Sequence, residues 1–600
     1  MQDTTAGTGP EKAAPGFSRR MFLSQLVAAG VSLHAAGRAA AQVRNIAPLV
    51  VDNPLGSYPS RDWERVYRDL YKSDSRFTFL CAPNDTHNCL LHAHVKNGVV
   101  TRISPTYAFH KATDLDGNRA SQRWEPRVCQ KGLALVRRFY GDRRVKRPLV
   151  RRGFKQWVDE GCPRDPVTGA VDADKYLLRG RDPWVPVSWD EAFDYAAKAI
   201  VNIARAYTGP AGARRLEAQG YDPLMVAAAQ GSGSQVLKFR GGMPALGATR
   251  IFAQYRIANA MALLDQKIRG VTPDQALGAR GWDNYAWHTD LPPGHPMVTG
   301  QQTVDFDLCN VEHAGLVLVW GMNWICTKMP DSHWLTEARL KGTRVVVIAC
   351  EYGATSSKGD DVLIVRPGVT PALALGFAQV IMAEKLYDEP YVKSFTDLPL
   401  LVRMDNGKML SAGDVFANYA LTDLNNGVSI QKLGTPPPPS TQQQHAVLPE
   451  AKRKQWGDFV IWDAKANAPT AVSRDQVGKF FLQAGVDPQL EGSMQVKLAD
   501  GKTVECRPVF QVTKDLLDSS YTPAQVSKIT WAPEDSIRAI ARQIAANKTK
   551  TLFAMGMGPN QFFNSDLKDR AVFLVAALTN NVGHRGGNVG SFAGNYRGAF

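Results

Sequence analysis

The stretch Cys81-Ala-Pro-Asn-Asp85-Thr-His87-Asn-Cys89 sets two cysteines eight residues apart with a carboxylate midway and a histidine beside it. Forty residues later Cys129 stands in Glu-Pro-Arg-Val-Cys-Gln-Lys131-Gly132. Spacing alone fits three buried thiols. The intervening residues, however, are polar and turn-forming, unlike a core strand, and positions 81, 85 and 89 share an even spacing of four. With Cys129 they make a four-ligand set, and thiolate-rich sets favour zinc or an iron–sulfur cluster. Zinc usually takes closer cysteine pairs, so the cluster is the stronger reading. The remaining cysteines, Cys162, Cys309, Cys326, Cys350 and Cys506, share no ligand-like spacing and are expected to be small buried hydrophobes. A separate carboxylate, Asp290 in Thr-Asp-Leu-Pro-Pro, serves equally as a turn cap or as a hard anionic metal ligand.

Such residues need elements to position them. The apolar run 315–321 is closed by glycine and predicts a buried strand, and a helix is expected over 332–341. A second apolar run follows at 343–349, which makes a βαβ unit of parallel strands. A third run at 362–366 leads through Pro367-Gly368 into a helix at 371–384, and another helix and strand are expected at 534–547 and 551–556. Ligands of open α/β sheets bind at the carboxyl ends of the strands. That rule singles out Gly321 and Asn323 after the first strand, Glu351 after the second, and Gly368 and Thr370 after the third. Gly321 would let the backbone approach a phosphate, and Glu351 could accept hydrogen bonds from a base or ribose. No Gly-x-Gly-x-x-Gly follows a strand, which disfavours NAD. Gly231-Ser-Gly-Ser234 and Gly556-Met-Gly558 are weaker loop candidates. The span 207–307 is rich in Gly, Pro, Trp and His and is expected to be mostly loop, as is the Pro- and Gln-rich 434–445.

Composition narrows the class. The chain has 600 residues, 44% hydrophobic and 21% charged, which is an ordinary globular balance and excludes disordered and fibrous classes. Eight cysteines are too few for a disulfide scaffold. The net charge of +15 is spread along the chain, with one short run at Arg143-Arg144-Val145-Lys146-Arg147. This pattern suits an acidic partner or a small anion better than nucleic acid. Ser18-Arg19-Arg20-Met21-Phe22-Leu23, an apolar stretch Leu26–Ala36 and Ala39-Ala40-Ala41 form, in order, the three parts of a twin-arginine export signal. The apolar stretch is shorter than the roughly 20 residues a membrane span needs.

Taken together these motifs resemble the molybdenum-bis(pterin guanine dinucleotide) oxidoreductases, the dimethyl sulfoxide reductase superfamily. Within it the chain is similar to the branch of nitrate reductase catalytic subunits, nitrite oxidoreductases, perchlorate reductases and ethylbenzene dehydrogenase. The resemblance rests on Trp184-Val-Pro-Val-Ser-Trp-Asp-Glu-Ala192, Trp287-His-Thr-Asp-Leu-Pro-Pro293, Trp320-Gly-Met-Asn323 with Pro330-Asp-Ser-His333, Phe395-Thr-Asp-Leu-Pro-Leu-Leu-Val402 and Asn580-Asn-Val-Gly-His-Arg-Gly-Gly587. It implies a multi-lobed α/β fold with an N-terminal iron–sulfur lobe and doubly wound parallel-sheet nucleotide-binding lobes. The expected organisation is a signal at 1–41, an iron–sulfur lobe at 42–148, an α/β lobe with the molybdenum ligand at 149–310 and a Rossmann-like lobe or lobes at 311–600. A further C-terminal lobe is expected beyond Phe600, so the chain reads as cut in mid-domain.

The resemblance also implies residue roles. One [4Fe–4S] cluster would be held by Cys81, Asp85, Cys89 and Cys129. Asp85 stands where nitrate reductases carry a cysteine, and a carboxylate is a harder ligand that should change the cluster's potential; His87 is the substitute if it does not bind. Lys131 matches a basic residue between cluster and pterin. Asp290 matches the aspartate that ligates molybdenum. Asn84 and His288 face the substrate, His288 standing where nitrate reductases have tyrosine. The implied activity is oxygen-atom transfer, with nitrate and nitrite as the pair, in the periplasm. An iron–sulfur partner subunit, and often a haem subunit, would exchange the electrons. A hydrocarbon-hydroxylating dehydrogenase, a perchlorate- or selenate-type reductase and a cofactor-free scaffold or electron-transfer subunit stay open as alternatives.

Overall fold

In the computed structural model, residues 62–81, 89–106, 128–240, 248–282, 294–299, 308–422, 428–431, 446–473, 476, 478 and 485–591 are described. The chain divides into two compact units, Met1–Lys72 and Ser73–Phe600. In the first, the described part is helix α1 (Asp62–Tyr71), whose Arg68 and Lys72 pair with Glu64 and Asp69 one turn back.

The second unit begins with an antiparallel meander of β1 (Ser75–Cys81), β2 (Cys89–Lys96) and β3 (Val99–Pro105). One face packs Leu91, Ile103 and Leu135 around Cys81 and Cys89. Two short helices follow, α2 (Gln130–Leu133) and α3 (Leu135–Tyr140). Helix α4 (Trp189–Ala206) starts at a capping box in which Ser188 and Glu191 satisfy each other's backbone N–H.

The expectation of loops over 207–307 is corrected. Two helices occupy 209–218 and 223–228, and α5 (Ala248–Arg269) runs for 22 residues. The glycines and prolines of this span sit outside α5, whose own sequence is rich in Ala, Arg, Gln and Leu, all good helix formers. Gly231-Ser-Gly-Ser234 turns out to be packing: Gly233 lies directly against the Ala204 carbonyl at the end of α4.

A five-stranded sheet dominates the rest. It is built from β4 (Leu316–Trp320), which leads through α6 (Ser332–Leu340) to β5 (Arg344–Ala349), and then β6 (Asp361–Ile364). Helices α7 (Thr370–Ala383) and α8 (Glu534–Ala546) precede β7 (Thr551–Met555), and α9 (Ser565–Leu578) precedes β8 (Asn588–Ser591). All neighbours are parallel and the spatial order is β6-β5-β4-β7-β8. The predicted strands and helices therefore sit within a residue or two of their observed ends.

Alternation along the strands sends side chains to two faces. Leu316, Leu318, Trp320, Val346, Ile348, Phe553 and Met555 meet α7, α8 and α9 on one side. Val317, Val319, Val345, Val347, Leu552 and Ala554 meet α6 and the turn at 308–313 on the other. Both faces are covered, which is why these strands are continuously apolar. Between α7 and α8 the chain makes smaller antiparallel sheets with their own core around Leu401, Val460, Val496 and Cys506. No helix among the described residues is long and apolar enough to cross a membrane.

Candidate functional site

The strand order reverses between β4 and β7, so the loops leaving these two strands diverge and open a crevice at their carboxyl ends. A cavity of about 290 Å³ occupies that position. Gly321, Asn323, Glu351, Gly368 and Thr370 all line it, as does Gly558 of the weaker Gly556–Gly558 candidate. Five positions scattered over fifty residues of sequence thus converge on one space.

Glycine chemistry builds the floor. Gly321 has φ +62°, and a side chain there would overlap the Pro559 ring. A Cβ on Gly556 would meet the Gly321 carbonyl carbon at 2.6 Å and Met322 Cα at 2.7 Å. The loops after β4 and β7 can therefore cross only because both residues lack a side chain. Two backbone bonds lock the crossing, with the Gly321 N–H donated to the Ile348 carbonyl at 2.8 Å and the Gly556 N–H to the Trp320 carbonyl at 2.8 Å. On one wall the Thr355 hydroxyl donates to Asn323 Oδ1 at 2.8 Å and itself accepts the Ile325 N–H at 3.0 Å. Thr370 begins the 14-residue α7, so the positive end of that helix faces the cavity. Glu351 is exposed at the rim.

Among the lining residues with no counterpart in the sequence-based set, three stand out. Arg366 is an exposed cation at the rim, Thr355 braces Asn323, and Phe562 packs 3.2 Å from where a Cβ on Gly368 would stand. Arg366 adjoins Pro367-Gly368, so a cation beside a strand-end glycine was an available signal. Phe562 is brought in from two hundred residues away and left none. The expectation that all five non-ligand cysteines are buried also fails: Cys162 and Cys506 are buried, Cys309 is half-buried, and Cys326 and Cys350 are exposed. Cys350 stands on the loop after β5 and lines the cavity, where the chain has left the apolar sheet.

The second candidate site lies in the N-terminal meander. Cys81 and Cys89 are direct partners across β1 and β2, at the two ends of the 82–88 connection. Cys129 caps α2, and all three thiols are buried. They feel one another: burial and then Cys129 push the Cys81 thiol up to about 11. Burial, Cys81, Cys129 and Asp331 push that of Cys89 up to about 12. A Cβ on Gly132 would stand 2.8 Å from Cys81 Sγ and 3.0 Å from Leu91 Cδ1, which explains the glycine three residues after Cys129. Asp331, buried at the start of α6, brings the carboxylate of Pro330-Asp331 to bear on Cys89.

Neutral thiols crowded away from water are poor ligands alone, but a cationic iron centre supplies the compensation that ionises them. The donor set therefore fits a soft, thiolate-bound group. Among the described residues no three His, Cys, Asp or Glu side chains form a site for a single metal ion. Lys131 is exposed on α2. Asp85, His87, Asn84, His288 and Asp290 lie outside the described residues, as do the export signal and the 434–445 loop.

Thiols so placed predict slow labelling. At pH 8 a group at about 11 is ionised in roughly one molecule in a thousand and one at about 12 in roughly one in ten thousand. In cofactor-free protein, iodoacetamide should modify exposed Cys326 about 100-fold or more faster than Cys81 or Cys89. The gap should narrow as pH rises towards 11. Peptide mass spectrometry reads this, and equal labelling at pH 8 would mean that the three thiols are not assembled.

The respiratory nitrate reductase alpha subunit of Haloferax mediterranei is 30% identical over 98% of this chain and 50% of its own length. The perchlorate reductase alpha subunit of Dechloromonas aromatica is 27% identical over 91% and 50% respectively, and the dimethylsulfide dehydrogenase alpha subunit of Rhodovulum sulfidophilum 27% over 95% and 50%. The chain thus spans about half the length of the curated relatives it matches. Among solved structures, acetylene hydratase from Pelobacter acetylenicus aligns with a TM-score of 0.39 at 14% identity, covering 85% of this chain and 44% of that one. Residues 144–599, the whole of the crevice-bearing sheet included, match the molybdopterin oxidoreductase family, and the chain belongs to it.

Proposed function

We propose that this chain forms the cofactor-holding part of a molybdenum oxidoreductase subunit that transfers an oxygen atom, interconverting nitrate and nitrite. The observation that carries the reading is the convergence of Gly321, Asn323, Glu351, Gly368 and Thr370 on the crevice at the strand-order reversal of a molybdopterin oxidoreductase chain. The cofactor is read as molybdenum-bis(molybdopterin guanine dinucleotide). When bound, it supplies a two-electron centre that accepts or gives one oxygen atom.

The protein's own groups then have distinct tasks. Backbone amides at the start of α7, with the Arg366 guanidinium, hold phosphate, and the missing side chain of Gly321 lets the group come close to the backbone. Glu351 at the rim accepts hydrogen bonds from guanine or ribose. Asp290 would be the hard ligand for molybdenum, and Asn84 and His288 would line the substrate side. His288 can pass a proton where tyrosine could only donate a hydrogen bond, which matters because reducing nitrate to nitrite consumes two protons and two electrons and releases water. Cys81, Cys89, Cys129 and Asp85 would hold a [4Fe–4S] cluster, which would supply one-electron transfer, and Lys131 would be the cation near it. The electrons pass to or from an iron–sulfur partner subunit, with a haem subunit further along. The exposed run from Arg143 to Arg147 follows directly on α3 and suits an acidic partner face. The residues 18–41 read as a twin-arginine signal, which gives a periplasmic location.

The test is composition of the full-length protein purified anaerobically with its partners. About one molybdenum and two guanine nucleotides per catalytic chain are expected. About four irons in this subunit support Asp85 as a ligand, and three or fewer count against it. Matured protein lacking both molybdenum and guanine would overturn the catalytic reading in favour of a scaffold. Turnover of perchlorate or a hydrocarbon in place of nitrate would move the substrate within the family.

A further inference from the structure

Two adjacent residues of α9, Lys568 and Asp569, are charged and have no exposed surface. Their side chains reach two different segments. Lys568 Nζ stands 2.6 Å from Asp569 Oδ1 and donates to Asn560 Oδ1 at 2.5 Å. Asn560, also fully buried, belongs to the loop 558–561 that supplies Gly558 and leads to Phe562 of the crevice. The same loop's Pro559 is the ring that Gly321 accommodates. Asp569 turns the other way. Its Oδ2 accepts the Gly294 N–H at 2.9 Å, and its Oδ1 lies 3.1 Å from Nδ1 of His295, which is fully buried and edge-on to Phe573 of the same helix.

Gly294 is as tightly specified as Gly321. A Cβ there would overlap the Asp566 carbonyl and meet Asp569 Cβ at 2.7 Å. In the sequence, Leu291, Pro292 and Pro293 separate it from Asp290. An apolar pair could fill the same volume without desolvating two charges, so burial alone does not account for Lys568 and Asp569. What an ion pair adds is direction: each charge fixes a named partner on a separate segment.

We propose that the Lys568–Asp569 pair is a positioning device that couples the crevice loop 558–562 to the segment 294–299, so that filling the crevice steadies that segment. The identity of what is positioned rests on the function proposed above; the tie between the two segments does not.

Hydrogen exchange on the full chain, with and without GDP as the probe, tests it. In the wild type GDP should slow exchange about fivefold or more both at 556–562 and at 294–299. In Lys568→Met, which keeps the volume, GDP should still protect 556–562 but no longer 294–299. Protection of 294–299 that survives Lys568→Met, or wild-type protection confined to 556–562, overturns the proposal. If GDP fails to bind at all, the crevice reading fails separately and the ligand-free comparison decides the tie. Lys568→Met must then speed exchange at 294–299 about tenfold more than in β4. Equal speeding everywhere marks a purely structural pair and overturns it. The double variant Lys568→Met/Asp569→Asn, which buries no charge, replaces the single one should that not fold, and it should likewise lose protection at 294–299.

Discussion

Gly321→Ala should lower stability by about 2–5 kcal/mol and abolish measurable guanine nucleotide binding. Two independent costs add. The residue sits at φ +62°, which charges an L-side chain roughly 1–2 kcal/mol. Its methyl would also overlap the Pro559 ring, and forcing an extra carbon into packed surroundings costs about 1–3 kcal/mol. Pro559 cannot retreat freely, because Asn560 beside it is held by Lys568. Gly270→Ala is the matched control. Its φ is +67° and nothing stands within 4 Å of the added carbon, so only the conformational cost of about 1–2 kcal/mol applies there. Thermal unfolding and calorimetric titration with GDP separate the two variants. Equal destabilisation with binding intact in both would show that the close crossing of the β4 and β7 loops is not what shapes the crevice.

Lys568→Met should be the costlier change at the buried pair, at about 3–5 kcal/mol. It strands the Asp569 carboxylate, at zero exposure, with His295 and one backbone N–H as its remaining described partners. Adding Asp569→Asn should recover part of that loss, because no charge is then left buried and the amide oxygen can still accept from Gly294. An acid titration provides an independent reading. Burial works against the Asp569 charge, but His295 and Lys568 outweigh it and hold the carboxyl below its usual range. A carboxyl depressed in the folded state contributes stability that is complete above its unfolded value of about 3.9 and is lost as pH falls through the folded value. Wild-type stability should therefore decline below about pH 4 more steeply than that of Asp569→Asn. Parallel acid limbs for the two proteins would mean that Asp569 is not a paired carboxylate.

These two predictions differ in how far the sequence could have anticipated them. Gly321 was legible, because a glycine closing an apolar run of strand length is a local pattern and its chemistry follows from strand ends. The strands themselves were legible for the same reason: parallel strands covered on both faces are apolar along almost their whole length, so 316–320, 345–349 and 552–555 announce themselves without help from their neighbours. The grouping of Cys81, Cys89 and Cys129 was legible, and Gly132 acquires its meaning once Cys81 is seen against it.

Local pattern misled where composition was averaged over a long window, as in 207–307, whose glycines and prolines lie outside the 22 uninterrupted residues of α5. It was silent where contacts join distant parts of the chain. Nothing near Gly368 announces Phe562, nothing near Cys89 announces Asp331, and Lys568-Asp569 reads as an ordinary charged pair on an amphipathic helix. What the sequence by itself determined were the strand and helix positions and the strand-end glycines, because each depends on residues a few positions apart. The tertiary structure alone decided which loops meet at the strand-order reversal, that Lys568 and Asp569 are buried, and that one helix holds both the crevice loop and Gly294. Those facts depend on sheet order and on desolvation, and both are properties of residues brought together from hundreds of positions apart.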